Sequence, residues 1–126
     1  MTNPNEAIVS EFCDAWTARD VDAILSYFHD DAVYHNIPVE PAVGPEAIRA
    51  VVEMFVPPAD AIEFVVHHIF SNPAGDVVFT ERTDRFVMGD KTIELPVAGV
   101  FELRDGKIAA WRDYFDLQTF MSQSAP

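Results

Sequence analysis

The stretch DVVFTERTDRFVMGDKTIELPVAGVFELRDGKIAAWRDYF, Asp76 to Phe115, decides the fold. It divides into three runs rich in β-branched and aromatic residues: DVVFTERTDRFVM, KTIELPVAGVFEL and KIAAWRDYF. Gly89-Asp90 and Asp105-Gly106 separate them, and such dipeptides suit tight hairpins because they accept the positive φ those turns need. The spacing therefore predicts an antiparallel meander of three strands. A fourth strand-like run, AIEFVVHHIF (Ala61 to Phe70), precedes it, with SNPAGD as the intervening turn.

Upstream the period changes from two to helical. Asn3-Pro4-Asn5-Glu6 reads as a helix start, with an Asn cap, proline in the first turn and Glu three residues after the cap. Ile8, Val9, Phe12, Cys13 and Trp16 then follow at the spacing of one apolar stripe. Asp20 is expected to cap a second short helix that turns Ile24, Leu25 and Phe28 inward. AVYHNIP (Ala32 to Pro38) reads as a short strand closed by proline. Gly44-Pro45-Glu46 opens a third helix that runs to about Val56 and is stopped by Pro57-Pro58. Asp116 is placed to cap a final turn, LQTF. Helices first and a curved antiparallel or mixed sheet afterwards indicate a single α+β domain over residues 1–126, with the sheet wrapped around three to four helices.

Composition bounds the function. With 49% apolar and 12% aromatic residues among 126, the chain has enough hydrophobic mass for one core. Its 21 acidic against 8 basic residues give a formal charge of −13, which repels phosphate backbones and argues against nucleic-acid binding. A neutral or cationic small molecule suits it better. No apolar run approaches the ~18 residues needed to span a bilayer, and MTNPNEAIV lacks the features of a signal peptide. The expectation is a cytoplasmic domain whose only cysteine, Cys13, makes no disulfide framework.

The anomaly lies in the charges. On a strand, residues two apart project from one face, so Arg82 and Asp84 share a side with the apolar Phe86 and Met88. In the last strand Asp113 shares a face with Trp111 and Phe115. Tyr34 and Asn36 form a further pair two residues apart. Asp76, Asp90 and Asp105 have ordinary places in turns, but an arginine and two carboxylates on apolar faces are costly unless paired. Two readings fit: a buried structural ion-pair network, or a functional site. The histidines say less, since His67 and His68 are adjacent and expected on opposite faces, and His35 has the parity opposite to Tyr34 and Asn36. No zinc-like spacing, serine elbow, phosphate loop or dinucleotide fingerprint is present. The expectation is a site without metal or cofactor.

An arginine between two buried carboxylates leaves a net charge of −1 when both are ionised, and low dielectric then favours one of them holding a proton. An acid and a base coexist, and a phenol and an amide beside them can cradle a water molecule. That set fits water attack on a strained, weakly basic ether.

The segments VYHNIP, TERTD and GVFELRDGKIAAWRDYFDL resemble the limonene-1,2-epoxide hydrolase family, part of the wider group of cone-shaped, NTF2-like α+β domains that includes the ketosteroid isomerases. The resemblance implies that Tyr34 and Asn36 hold the water, that Asp113 is the base and Asp84 the acid, and that Arg82 bridges them. It implies hydrolysis of a limonene-oxide-like or other cyclic epoxide to a trans-diol without a covalent intermediate, and a homodimer. Parity and resemblance together nominate Phe86, Leu95, Val97 and Phe115 as pocket walls, closed by Trp16, Phe55 and Phe120. The competing reading is a binding domain or an isomerase of the same fold.

Overall fold

The computed structural model describes residues 3–125. Four helices, α1 (Pro4–Thr17), α2 (Val21–Ser26), α3 (Pro45–Phe55) and α4 (Leu117–Ser124), pack with six strands: β1 (Phe28–Asn36), β2 (Ala42–Val43), β3 (Ala61–Ser71), β4 (Val77–Met88), β5 (Lys91–Arg104) and β6 (Lys107–Tyr114). The strands form one mixed sheet in the order β2-β1-β6-β5-β4-β3. β3 to β6 are the expected antiparallel meander, and β1 joins its free edge parallel to β6. The α+β architecture and the wrapped sheet match the expectation.

Local chemistry explains most element ends. Asn3 caps α1 by accepting the Asn5 N–H at 2.8 Å, Asp20 caps α2 through Ala23 and Asp116 caps α4 through Thr119. Asp105 and Gly106 both have positive φ (54° and 76°), which suits the right-handed twist of the β5–β6 hairpin. In the β3–β4 turn, Asn72 Oδ1 accepts the N–H groups of Gly75 and Val77.

Four local expectations are corrected. Phe28 faces inward from the first position of β1, not from α2, because it pairs with Ile108 of β6 and Ile108 N donates to Tyr27 O at 2.8 Å. β1 thus begins four residues before Ala32, through the polar His29-Asp30-Asp31. The short β2 pairs with Val33 and Tyr34 and has too few residues to show a period. His67 and His68 do not alternate, since a bulge between Val66 and His68 leaves both exposed. Glu6 does not close a capping box and instead accepts the Ser71 hydroxyl at 2.6 Å, tying α1 to β3.

The helices cover the concave face of the sheet. Phe12 of α1 meets Trp16, Tyr27, Phe28, Phe101 and Trp111 edge-on, with centroids 4.9–6.5 Å apart. Such pairs contribute ~0.5–1.5 kcal/mol each beyond area burial. This aromatic cluster closes the inner end of the concave face. The outer end, toward α3 and α4, stays open.

Candidate active site

Strand alternation turns Thr80, Arg82, Asp84 and Phe86 of β4 inward, and all four are buried. On β6 the same alternation buries Trp111 and Asp113. The parallel pairing of β1 sets Tyr34 beside Trp111 and Asn36 beside Asp113, so one register brings the phenol and the amide to the carboxylate.

Arg82 is the hub. Its Nε donates to Asp84 Oδ1 at 3.0 Å and its Nη2 to Asp84 Oδ2 at 2.9 Å, a two-pronged grip. Nη2 also donates to Asp113 Oδ2 at 2.8 Å, and Nη1 donates to the Thr80 hydroxyl at 3.0 Å. The other Asp113 oxygen accepts the Trp111 indole N–H at 2.6 Å. The guanidinium lies over the Phe64 ring, 5.1 Å from its centroid. Every charged atom of the cluster therefore has a partner.

The cluster needs space, which Gly99 supplies. Gly99 of β5 pairs with Thr80 on one side and Asp113 on the other, so it lies directly beneath the guanidinium. A Cβ there would collide with Arg82 Nη1 and lie 2.7 Å from Asp113 Oδ1 and 2.9 Å from Thr80 Oγ1. Glycine within a strand at such a close approach reflects packing, not turn geometry.

Burial works against the Arg82 charge, but the adjacent Asp113 and Asp84 carboxylates outweigh it and hold the guanidinium protonated. Burial pushes the Asp113 carboxyl up to about 6; Arg82 opposes the rise, Asp84 adds to it, and the Trp111 N–H opposes it again. Because Arg82 couples the two carboxylates, that proton belongs to the pair. The Tyr34 phenol is raised by burial and by the Asp113 charge, so it remains a neutral donor. Burial also lifts the Cys13 thiol, behind the cluster, to about 12.

A cavity of about 360 Å³ opens over these groups. Tyr34, Asn36, Asp84 and Asp113 stand in its wall, whereas Arg82 lies behind it with its side chain fully covered. The remaining lining is largely carbon, and Trp16, Phe55, Phe86, Leu95, Val97, Phe115 and Phe120 all contribute to it. The Trp16 indole Nε1 is buried without a partner among the described residues. No group of three or more His, Cys, Asp or Glu among the described residues is arranged to hold a metal ion.

The family profile described as "Limonene-1,2-epoxide hydrolase catalytic domain" matches residues 3–125. The chain belongs to the limonene-1,2-epoxide hydrolase family. It is 33% identical over 109 residues to "Epoxide hydrolase EphG" of Mycobacterium tuberculosis, covering 86% of this chain and 71% of that one. It is also similar to the solved structure of an M. tuberculosis LEH-like epoxide hydrolase, with 30% identity, a TM-score of 0.84, and 97% and 90% of the two chains covered. A protein of ketosteroid isomerase-like fold from Catenulispora acidiphila, solved with trimethylamine, shares the fold at 20% identity, with a TM-score of 0.80 and 93% and 91% coverage.

Within this limonene-1,2-epoxide hydrolase domain the structure adds residues that sequence reasoning passed over. Phe64 follows Ile62 at strand spacing, the signal that could have placed it inside. Val39 and Glu40 of the loop after β1, Val51 and Met54 of α3, and Leu117 of α4 complete the cavity wall. Thr80 has the parity of Arg82, and Gly99 is an isolated glycine inside a strand-like run; Trp111, expected on the face of Asp113, gains its bond to that carboxylate in the structure.

Proposed function

We propose that the protein is an epoxide hydrolase that adds water to an apolar, cyclic or terpene-like epoxide in one step. The observation that carries this reading is the Arg82 bridge, 2.9 Å to Asp84 and 2.8 Å to Asp113, at the floor of a carbon-lined cavity. One guanidinium and two carboxylates sum to −1, which a low-dielectric site relieves by keeping one proton on the pair. Asp113 is read as the ionised partner and Asp84 as the protonated one. Both stand in the cavity wall, so both can meet a substrate.

Tyr34 and Asn36 hold a water molecule against Asp113. The water oxygen attacks an epoxide carbon from the face opposite the C–O bond while Asp113 takes one of its protons. The C–O bond breaks toward oxygen as Asp84 gives its proton to that oxygen, so a cyclic epoxide yields the trans-diol. Asp113 ends protonated and Asp84 ionised, and a proton must return past Arg82 before the next turnover. General acid and general base steps each supply ~10²–10⁴-fold. The family relationship supports the same reading of the reaction. The largely apolar walls hold no lysine, arginine or histidine and include Glu40, which disfavours an anionic substrate.

A homodimer is part of this proposal. The sheet strands expose Val65, Phe70 and Tyr114, 37%, 55% and 45% accessible, among polar side chains such as His68 and Glu81, and these apolar groups are offered as contacts for a second copy. Sedimentation equilibrium would test it, and a monomer at all concentrations would refute it.

The function is tested by incubating the protein with limonene oxide, cyclohexene oxide and a steroid enone. Trans-diol from an epoxide and no shifted double bond in the enone are expected. Isomerised enone without diol would replace this reading with an isomerase.

A further inference from the structure

Among the described residues, Trp111 touches the Asp113 carboxylate and the Tyr34 ring and lies close to the Arg82 guanidinium. Its Nε1 donates to Asp113 Oδ1 at 2.6 Å. Its ring stacks on Tyr34 with centroids 4.1 Å apart and planes 5° apart. The Arg82 Cζ lies 5.8 Å from the same ring. Phe101 stacks on the indole at 5.3 Å and Phe12 meets it edge-on at 4.9 Å, so it has no room to turn. Trp111 is fully buried and lines no part of the cavity.

We propose that Trp111 is a positioning residue that sets both the orientation and the basicity of Asp113 while fixing the plane of Tyr34. The argument rests on the reading of Asp113 as the base and goes beyond it. A carboxylate held on one oxygen only can swing about its terminal torsion, which is broad and roughly two-fold. Here Arg82 Nη2 holds Oδ2 and Trp111 Nε1 holds Oδ1, so the carboxylate plane is clamped at both ends. The remaining lone pairs are left for the cavity.

The second consequence is electrostatic. A donor to the ionised form favours that form. The groups facing Asp113 are Arg82 and Asp84 from β4, Tyr34 from β1 and Cys13 from α1. Of these only Arg82 opposes burial and the Asp84 charge, so the Trp111 N–H is the second and uncharged brake on the Asp113 proton. Its loss raises the Asp113 pKa and leaves less base at neutral pH.

The test removes the N–H and keeps the shape. Benzothienylalanine placed at position 111 by codon suppression substitutes sulfur for the indole N–H and preserves the stack on Tyr34. Trp111→Phe serves as the cruder companion. Asp113 is followed by ¹³C NMR of its carboxyl through a pH titration, and the pH–rate profile is measured on an epoxide. A hydrogen bond to a charged group has the size of about one to two pH units. The isostere is expected to move the Asp113 midpoint, and the limb of the profile that follows it, upward by that amount. With the midpoint raised from about 6 by that amount, kcat at neutral pH should fall ~2- to 10-fold, with KM unchanged. An unmoved midpoint overturns the proposal, even if kcat falls, because a purely structural tryptophan would give that result. The NMR titration needs no turnover, so the proposal fails or stands separately from the assigned reaction. A moved midpoint in a protein that opens no epoxide would sink the hydrolase reading and leave the Trp111–Asp113 link in place.

Discussion

Gly99→Ala is the smallest change that should disable this site, because it adds one methyl where no atom can yield cheaply. The new Cβ would overlap Arg82 Nη1 and lie 2.7 Å from Asp113 Oδ1 and 2.9 Å from Thr80 Oγ1. Real Cβ atoms keep more than 3 Å from such neighbours. Arg82 cannot swing away, since Nε and Nη2 grip Asp84 and Nη2 also holds Asp113. Relief therefore means losing the Nη1 bond to Thr80 and lengthening the bond to Asp113. Overpacking a core costs ~1–3 kcal/mol, and a weakened hydrogen bond to a charged group ~1.5–3 kcal/mol. The two overlap, so about 2–4 kcal/mol of stability should go, roughly 10 °C in Tm for a domain of this size. Displacing the pair by a fraction of an ångström should cost ~10²-fold in kcat. Gly89→Ala is the control: nothing lies within 4 Å of its Cβ, and only its φ of 64° resists the change. Its cost should be ~1 kcal/mol of backbone strain, with kcat untouched. Thermal melts and initial rates decide. Gly99→Ala with wild-type rate and a melting point within a degree or two would refute the packing argument.

Other outcomes follow from the same geometry. Asp84→Asn and Asp113→Asn should each lower diol formation by ~10²-fold or more while the melting curve stays cooperative; a variant retaining a tenth of the rate would remove that residue from the acid–base pair. Since the reaction needs one proton on the pair, and the Asp113 carboxyl of that pair is raised to about 6, kcat/KM should fall as pH rises through that value and the last proton leaves. A profile flat from pH 4 to pH 8, where the pair's proton should be lost, would contradict the role. Cys13 is buried and held to about 12 by that burial, so a thiol reagent should modify it only as fast as the native protein unfolds. Rapid native-state labelling would show that α1 opens.

Much of this site was legible because strands alternate. The two-residue spacings of Arg82 with Asp84 and of Trp111 with Asp113 mark shared faces, and the β4–β5–β6 meander brings those faces together. Where alternation breaks, prediction breaks with it. The bulge at His67 exposes two neighbours at once, and Phe28 looks helical locally until β6 recruits it as a strand. Long-range partners have no local signature, which is why Glu6 bonds Ser71 and not its own helix start. Gly99 and Trp111 were visible as an isolated strand glycine and an inward aromatic. What each of them touches depends on which strands become neighbours, and only the assembled sheet sets that.

The central claim is direct attack by a water molecule that Asp113 activates. The alternative is attack by an aspartate, giving an ester that water later cleaves. A single turnover in ¹⁸O-labelled water, with enzyme in excess over the epoxide, separates them. Direct attack predicts labelled oxygen in the diol from the first turnover and no label in Asp113 or Asp84. Unlabelled diol in that turnover, with the label found in one of the two aspartates, would contradict it.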